Sequence, residues 1–136
     1  MNVNQTYPLG QTASNQIMAS SGRKLSQITL DAVNNHTLTS EDLQVQAQTL
    51  QAQAQVAKAS GYPQLAENLI RAAELTAVPN DELLTMYETL RPGRATYGEV
   101  MSLAQRLEDS YSAPQNAKLV REAGDVYLAR GLVRKA

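Results

Sequence analysis

Apolar residues are sparse over the first 21 positions and then recur at the three- and four-residue spacing of a helix face. Residues 1–21 are rich in Asn, Gln, Ser and Thr and show no apolar period. An extended N-terminal arm, or a disordered tail, is predicted there, with Tyr7-Pro8-Leu9 its one sticky point. Gly22 breaks this segment, and Leu25, Ile28, Leu30 and Val33 open a helical domain predicted over 22–136. Thr29 is placed to cap a short helix ending near Asn35. Thr39 with Asp42 reads as a second cap, Glu41 and Asp42 lying at the favourable end of the helix dipole. Residues 44–55 alternate Gln with Val, Ala and Leu, which imitates strand period. Ala and Gln favour helix, however, and Leu50, Ala54 and Ala57 share one helical face. A loop over 44–48 and a helix to Ser60, stopped by Gly61, is the expectation.

Pro63 suits a first helical turn, and Leu65, Leu69, Ala72 and Ala73 follow at helical spacing. Pro79 ends that helix and begins another, whose buried face is read as Leu83, Leu84, Tyr87 and Leu90. Arg91-Pro92-Gly93 stops it. Thr96 and Glu99 have the spacing of a capping box, and Val100, Leu103, Ala104, Leu107 and Tyr111 continue the helix. Ala113-Pro114 breaks it. A last helix is predicted from Gln115 to Val133 through Leu119, Val120, Ala123, Val126 and Tyr127. Gly98 and Gly124 fall inside helices, where each costs roughly 1 kcal/mol relative to Ala unless close packing requires it. The pattern defines an all-α chain: a compact bundle of about five helices with short extra helices and an extended N-terminal arm.

Composition supports that class. Nineteen Ala and 17 Leu dominate the apolar set, against nine Val and three Ile, so sheet is poorly supported. Phe and Trp are absent, which removes the largest contributors to burial and leaves room for a partner to supply stability. A net charge of −1 gives no electrostatic case for nucleic acid. Arg130, Arg134 and Lys135 read as cations at the end of the last helix. No apolar run approaches the roughly 20 residues that cross a bilayer, and no secretory leader is seen, so a cytoplasmic protein without membrane attachment is expected.

Candidates for chemistry are few. His36 is the only histidine, in a polar Asn-Asn-His-Thr connection, and there is no cysteine. Neither a nucleophile–base pair nor a zinc set can be assembled from these residues. The adjacent carboxylates Glu41-Asp42, Asp81-Glu82 and Glu108-Asp109 would point about 100° apart on a helix and do not converge. No catalytic, cofactor-binding or metal residue is therefore assigned. A partner surface is placed at Tyr87, Arg91 and Arg94, because Arg and Tyr most often anchor interfaces. The plainer alternative makes Tyr87 a core residue and the two arginines neutralisers of the helix end.

The block Arg71-Ala72-Ala73-Glu74-Leu75-Thr76-Ala77-Val78-Pro79-Asn80-Asp81-Glu82, continued by Met86-Tyr87-Glu88-Thr89-Leu90-Arg91-Pro92-Gly93-Arg94, resembles the centre of the small (gamma) subunit of adenosylcobalamin-dependent glycerol and propane-1,2-diol dehydratases. Tyr7-Pro8-Leu9 is similar to that family's entry arm, residues 22–30 to its next landmark, and residues 120–127 to its last helix. Gly93 departs from the family, standing where relatives usually carry an aromatic. The resemblance implies a lyase built from large, medium and small subunits, two copies of each, with a non-catalytic helical small subunit packed on the large one. Adenosylcobalamin would be bound by the other subunits. Tyr7, Pro8 and Leu9 would lie along the large subunit. A location inside a bacterial microcompartment is left open, as is the choice between glycerol and diol. The reading from another class is a free-standing helical adaptor that binds a peptide partner.

Overall fold

The computed structural model of the protein describes residues 7–136. Among them there is helix and no strand, with isolated bridges at Met18–Lys24 and Ala19–Val45. The helices are α1 (Leu9–Thr12), α2 (Leu30–Asn34), α3 (Ala47–Ala59), α4 (Pro63–Leu75), α5 (Asn80–Thr89), α6 (Tyr97–Tyr111) and α7 (Pro114–Ala129), with 3-10 turns at Ser14–Gln16, Leu25–Gln27 and Ser40–Leu43. The all-α reading holds, and α3 to α7 are the five longer helices it called for. The residues fall into two units, one running to Ala73 and the other starting at Glu74.

In the first unit, residues 7–21 hold two short helical turns and bury Leu9, Ala13 and Ala19. Residues 17–25 fold back as a tight loop. Leu25 N–H donates to Ile17 O at 3.1 Å and Ala19 N–H to Arg23 O at 2.8 Å, with Gly22 at φ 86° making the reversal. Thr29 caps α2 as expected, its side chain accepting from Ala32 N–H. α3 starts at Ala47, inside the segment read as loop. It stops where Gly61 takes φ 85°, so that Tyr62 N–H reaches Ala57 O and Gly61 N–H reaches Lys58 O. The core between α3 and α4 is small: Ala54, Ala57 and Ala66, with Leu69 against them.

The second unit has a larger core. α6 buries Val100, Leu103, Ala104 and Leu107, and α7 contributes Ala117 and Val120. Val78 and Met86 close it from the α5 side. Gly124 earns its place, since a methyl there would stand 3.1 Å from Val100 Cγ1 and 2.5 Å from Met101 Cε. At Gly98 no such crowding exists. The start of α7 is capped from outside the helix: the Glu74 carboxylate accepts from Gln115 N–H at 3.0 Å, Asn116 N–H at 2.9 Å and Asn116 Nδ2 at 2.7 Å.

Two expectations for this unit are corrected. α7 ends at Ala129, not Val133, because Gly131 adopts φ 69° and lets Leu132 N–H donate to Tyr127 O. Arg134 therefore lies beyond the helix. Its guanidinium reaches Glu99 at 3.1 Å, and its N–H donates to Ala95 O at 2.7 Å. The buried face of α5 is Leu83, Met86 and Leu90; Leu84 and Tyr87 are 70% and 62% exposed. Four apolar residues spanned too wide an arc for one contact, and packing took the side that includes Met86.

Candidate subunit-contact surfaces

The second unit presents Leu84 and Tyr87 outward on α5, followed by the turn that carries Arg91 and Arg94. Both guanidiniums lean on one carboxylate: Glu88 lies 3.3 Å from Arg91 Nη1 and 3.5 Å from Arg94 Nε, all three side chains being more than half exposed. Exposed pairs of this kind contribute about 0–1 kcal/mol to folding, so their removal leaves the fold intact. Gly93 at φ 79° shapes the turn, and its N–H donates to Leu132 O at 2.6 Å. An open cleft of about 1160 Å³ adjoins it, lined by Leu84, Glu88, Arg94, Ser102 and Arg106 among others. Its charged rim is internally paired. Arg106 sits 3.6 Å from Glu82, which also accepts from the Tyr111 hydroxyl. Glu99 takes Thr96 N–H at 2.7 Å in the capping box as well as Arg134, and these hold its carboxyl below the usual range. Glu108 and Asp109 are engaged by Arg121 at 2.5 Å and Gln105 Nε2 at 2.9 Å, respectively.

The other residues assigned to the contact surface belong to the first unit. Tyr7 is exposed, Pro8 half-buried and Leu9 buried. Leu9 is thus occupied by its own unit, while Tyr7 and Pro8 stand on the margin of a groove of about 720 Å³. Sequence reasoning missed most of the groove. Tyr62 went unremarked and Leu65 was read only as part of a helical period, yet both are at least half exposed and form its wall. The detectable signal was the aromatic placed immediately before the helix-opening Pro63.

A polar clasp holds other segments of the first unit together. Asp42 is only 3% exposed. Its carboxylate accepts from Ser21 Oγ at 2.5 Å, Thr39 N–H at 2.7 Å and Arg23 Nε at 3.0 Å. Arg23 also donates to Thr37 O at 2.9 Å. The Ser21 hydroxyl, then the Thr39 N–H, then Arg23 hold the Asp42 carboxyl far below its ordinary range, against the opposing effect of burial. Sequence reading had placed Asp42 in a helix-dipole role. It does close the capping box with Thr39, and it also ties residues 21–23 to residues 37–42.

Among the described residues no group of His, Cys, Asp or Glu is arranged to hold a metal, and no helix is long and apolar enough to cross a membrane. What both units do offer is apolar and aromatic side chains outside their cores, the equipment of a helical protein that meets other polypeptides. The family profile described as the dehydratase small subunit matches residues 2–134, and the chain belongs to that family. It is 40% identical over 124 residues to the propanediol dehydratase small subunits of Citrobacter freundii and of Salmonella typhimurium strain LT2. Each overlap covers 91% of this chain and 72% of the relative.

Proposed function

We propose that this chain is the non-catalytic small subunit of a coenzyme-B12-dependent dehydratase acting on propane-1,2-diol or glycerol, and that it packs on the large catalytic subunit. The observation that carries this is the family match across residues 2–134. The names of the two relatives favour the diol. The complex would hold two copies each of large, medium and small subunits in the cytoplasm. The adenosylcobalamin that this reading implies is assigned to the other subunits. An imidazole ligand to cobalt would have to be His36, which is exposed on a left-handed turn at φ 54° and lines neither the groove nor the cleft.

The test is co-expression with the two larger subunits. The chain should co-purify with them, the complex should dehydrate the diol, and the chain alone should bind no cobalamin. Stoichiometric cobalamin binding by the isolated chain, or a stable monomer that ignores the larger subunits, would overturn the reading. Arg91→Ala and Arg94→Ala sharpen it. Each should leave the melting temperature nearly unchanged, since only exposed pairs with Glu88 are lost. Each should weaken assembly by about fivefold or more if these arginines anchor the contact. Assembly at parental strength would move the contact off this turn.

A further inference from the structure

Residues 130–135, which follow α7, are fastened as a strap across the turn that carries Arg91 and Arg94. Gly93 N–H donates to Leu132 O at 2.6 Å, and Arg134 N–H to Ala95 O at 2.7 Å. The Arg134 guanidinium spans two elements. Its Nε donates to Arg94 O at 3.2 Å and its Nη2 to both Glu99 oxygens at 3.1 Å. One planar fork thus joins the turn to the start of α6. The strap brings the cations Arg130, Arg134 and Lys135 to the same corner of the second unit as Arg91 and Arg94. Arg134 is paired with Glu99, and Arg91 and Arg94 share the single carboxylate of Glu88. Arg130 and Lys135 make no ion pair among the described residues. The nearest further carboxylate along α7, Asp125, accepts from the Tyr97 hydroxyl at 2.9 Å. With Asp125 counted, the corner carries five cationic side chains and three carboxylates, while the rest of the chain carries seven and ten. The negative ends of α5 and α7 offset about half a charge each. They give Arg91 and Arg130 a structural reason, but not Arg94, nor Lys135 beyond the helix. Tyr87 and Leu84 stand one and two turns before Arg91 on the exposed face of α5.

We infer that the strap and the turn form one contact for an acidic segment of a larger dehydratase subunit, with its carboxylates at Arg91, Arg94, Arg130 and Lys135 and its apolar side chains on Tyr87 and Leu84. Arg134 is a positioning residue, its guanidinium used inside the chain to hold turn and strap together. Complementary charge of this kind steers encounter and fixes register. A nucleic acid fits less well, since so few cations release few counterions and the apolar pair would stay uncovered. This assignment rests on the reading of the chain as a dehydratase small subunit that meets its partners at Arg91 and Arg94.

The test is the dissociation constant of each variant for the complex of the two larger subunits, at about 0.1 M and about 1 M salt. Arg130→Glu and Lys135→Glu break no internal ion pair, so the melting temperature should change little. Each should raise the constant about fivefold or more at low salt, and the gap should shrink to about twofold at high salt. Lys118→Glu, the same charge change near the start of α7, should move it less than about twofold. Arg134→Lys keeps the cation but loses the fork, and should weaken binding about threefold. Combined with Arg94→Ala, its effect should fall short of the product of the two single losses, because both act through one turn. If the parent chain fails to join the larger subunits, the functional reading falls. If the parent joins and the two reversals bind no worse than Lys118→Glu, the corner assignment alone falls. Full additivity of Arg134→Lys with Arg94→Ala would overturn the positioning role. The corner assignment falls too if the isolated chain binds single-stranded DNA or phosphatidylserine vesicles and the reversals abolish that while assembly is untouched, because the occupant would then be a polyanion.

Discussion

The two units solve the same problem with different materials. From Glu74 onward, leucine, valine and methionine side chains of α5, α6 and α7 fill one continuous core. Before it, the core shared by α3 and α4 consists of three alanines backed by Leu69, and a buried carboxylate clasps the loops. Alanine buries little area, so this core supplies little of the roughly 25 cal/mol per Å² that drives folding. The larger apolar side chains of the first unit, Tyr7, Leu30, Leu43, Tyr62 and Leu65 among them, are left in water. The contrast separates a unit with one continuous core of larger side chains from one whose core is mostly alanine.

The largest effect that probes this contrast is Leu103→Ala. With 1% exposure in the middle of α6, it should cost about 2–5 kcal/mol. Leu69→Ala, at the partly buried edge of the alanine core, should cost about 1–2 kcal/mol, since part of that side chain is already solvated. Equal losses in denaturant melts would mean that the two cores carry equal weight.

A second break targets the clasp. Because the folded-state value of Asp42 lies well below the unfolded value of about 3.9, its stabilisation is complete at neutral pH and fades as pH falls below about 4. Asp42→Asn should therefore lower the melting temperature at pH 7, and the gap to the parent should narrow at pH 3. A gap that is constant or widens on acidification would show that the charge on Asp42 does not stabilise the first unit.

The smallest effects distinguish two glycines within the second unit. Gly124→Ala should destabilise by about 1 kcal/mol, as crowding against Val100 outweighs the gain in helix propensity. Gly98→Ala meets no obstruction and should stabilise by about 0.5–1 kcal/mol. Thermal melts of the pair with the same sign would mean that α6 and α7 are packed less closely than the distances indicate.

Much of the fold is legible in residue order because its signals are local. Thr29, Thr96 with Glu99 and Gly61 each mark a boundary through a bond made within a turn of themselves, and Pro63 marks one through the donor it lacks. The errors occur where the partner is distant. Asp42 is the cap it looks like, but its further bonds to Ser21 and Arg23, from across the loop, are missed. Leu84 and Tyr87 fit the periodicity of a buried face as well as Met86 does, and only packing decides among them. Arg134 has the charge of a helix-end cation, but Gly131 has already ended the helix. Of the candidate surface, the exposed Arg91 and Arg94 were readable from the Pro-Gly stop. The groove was not, since Thr49, Tyr62 and Leu25 are brought together only by folding.

The cap on α7 carries a consequence for modularity. Most helices bring their own start signal and can be moved to a new host with it. α7 borrows its signal from Glu74, 41 positions before Gln115. Excised as a peptide or grafted onto another scaffold, residues 114–129 would begin with open N–H groups and fray at the first turn. In the growing chain the order is favourable, because Glu74 is made before the helix it caps, and α7 can dock onto an acceptor that is already waiting.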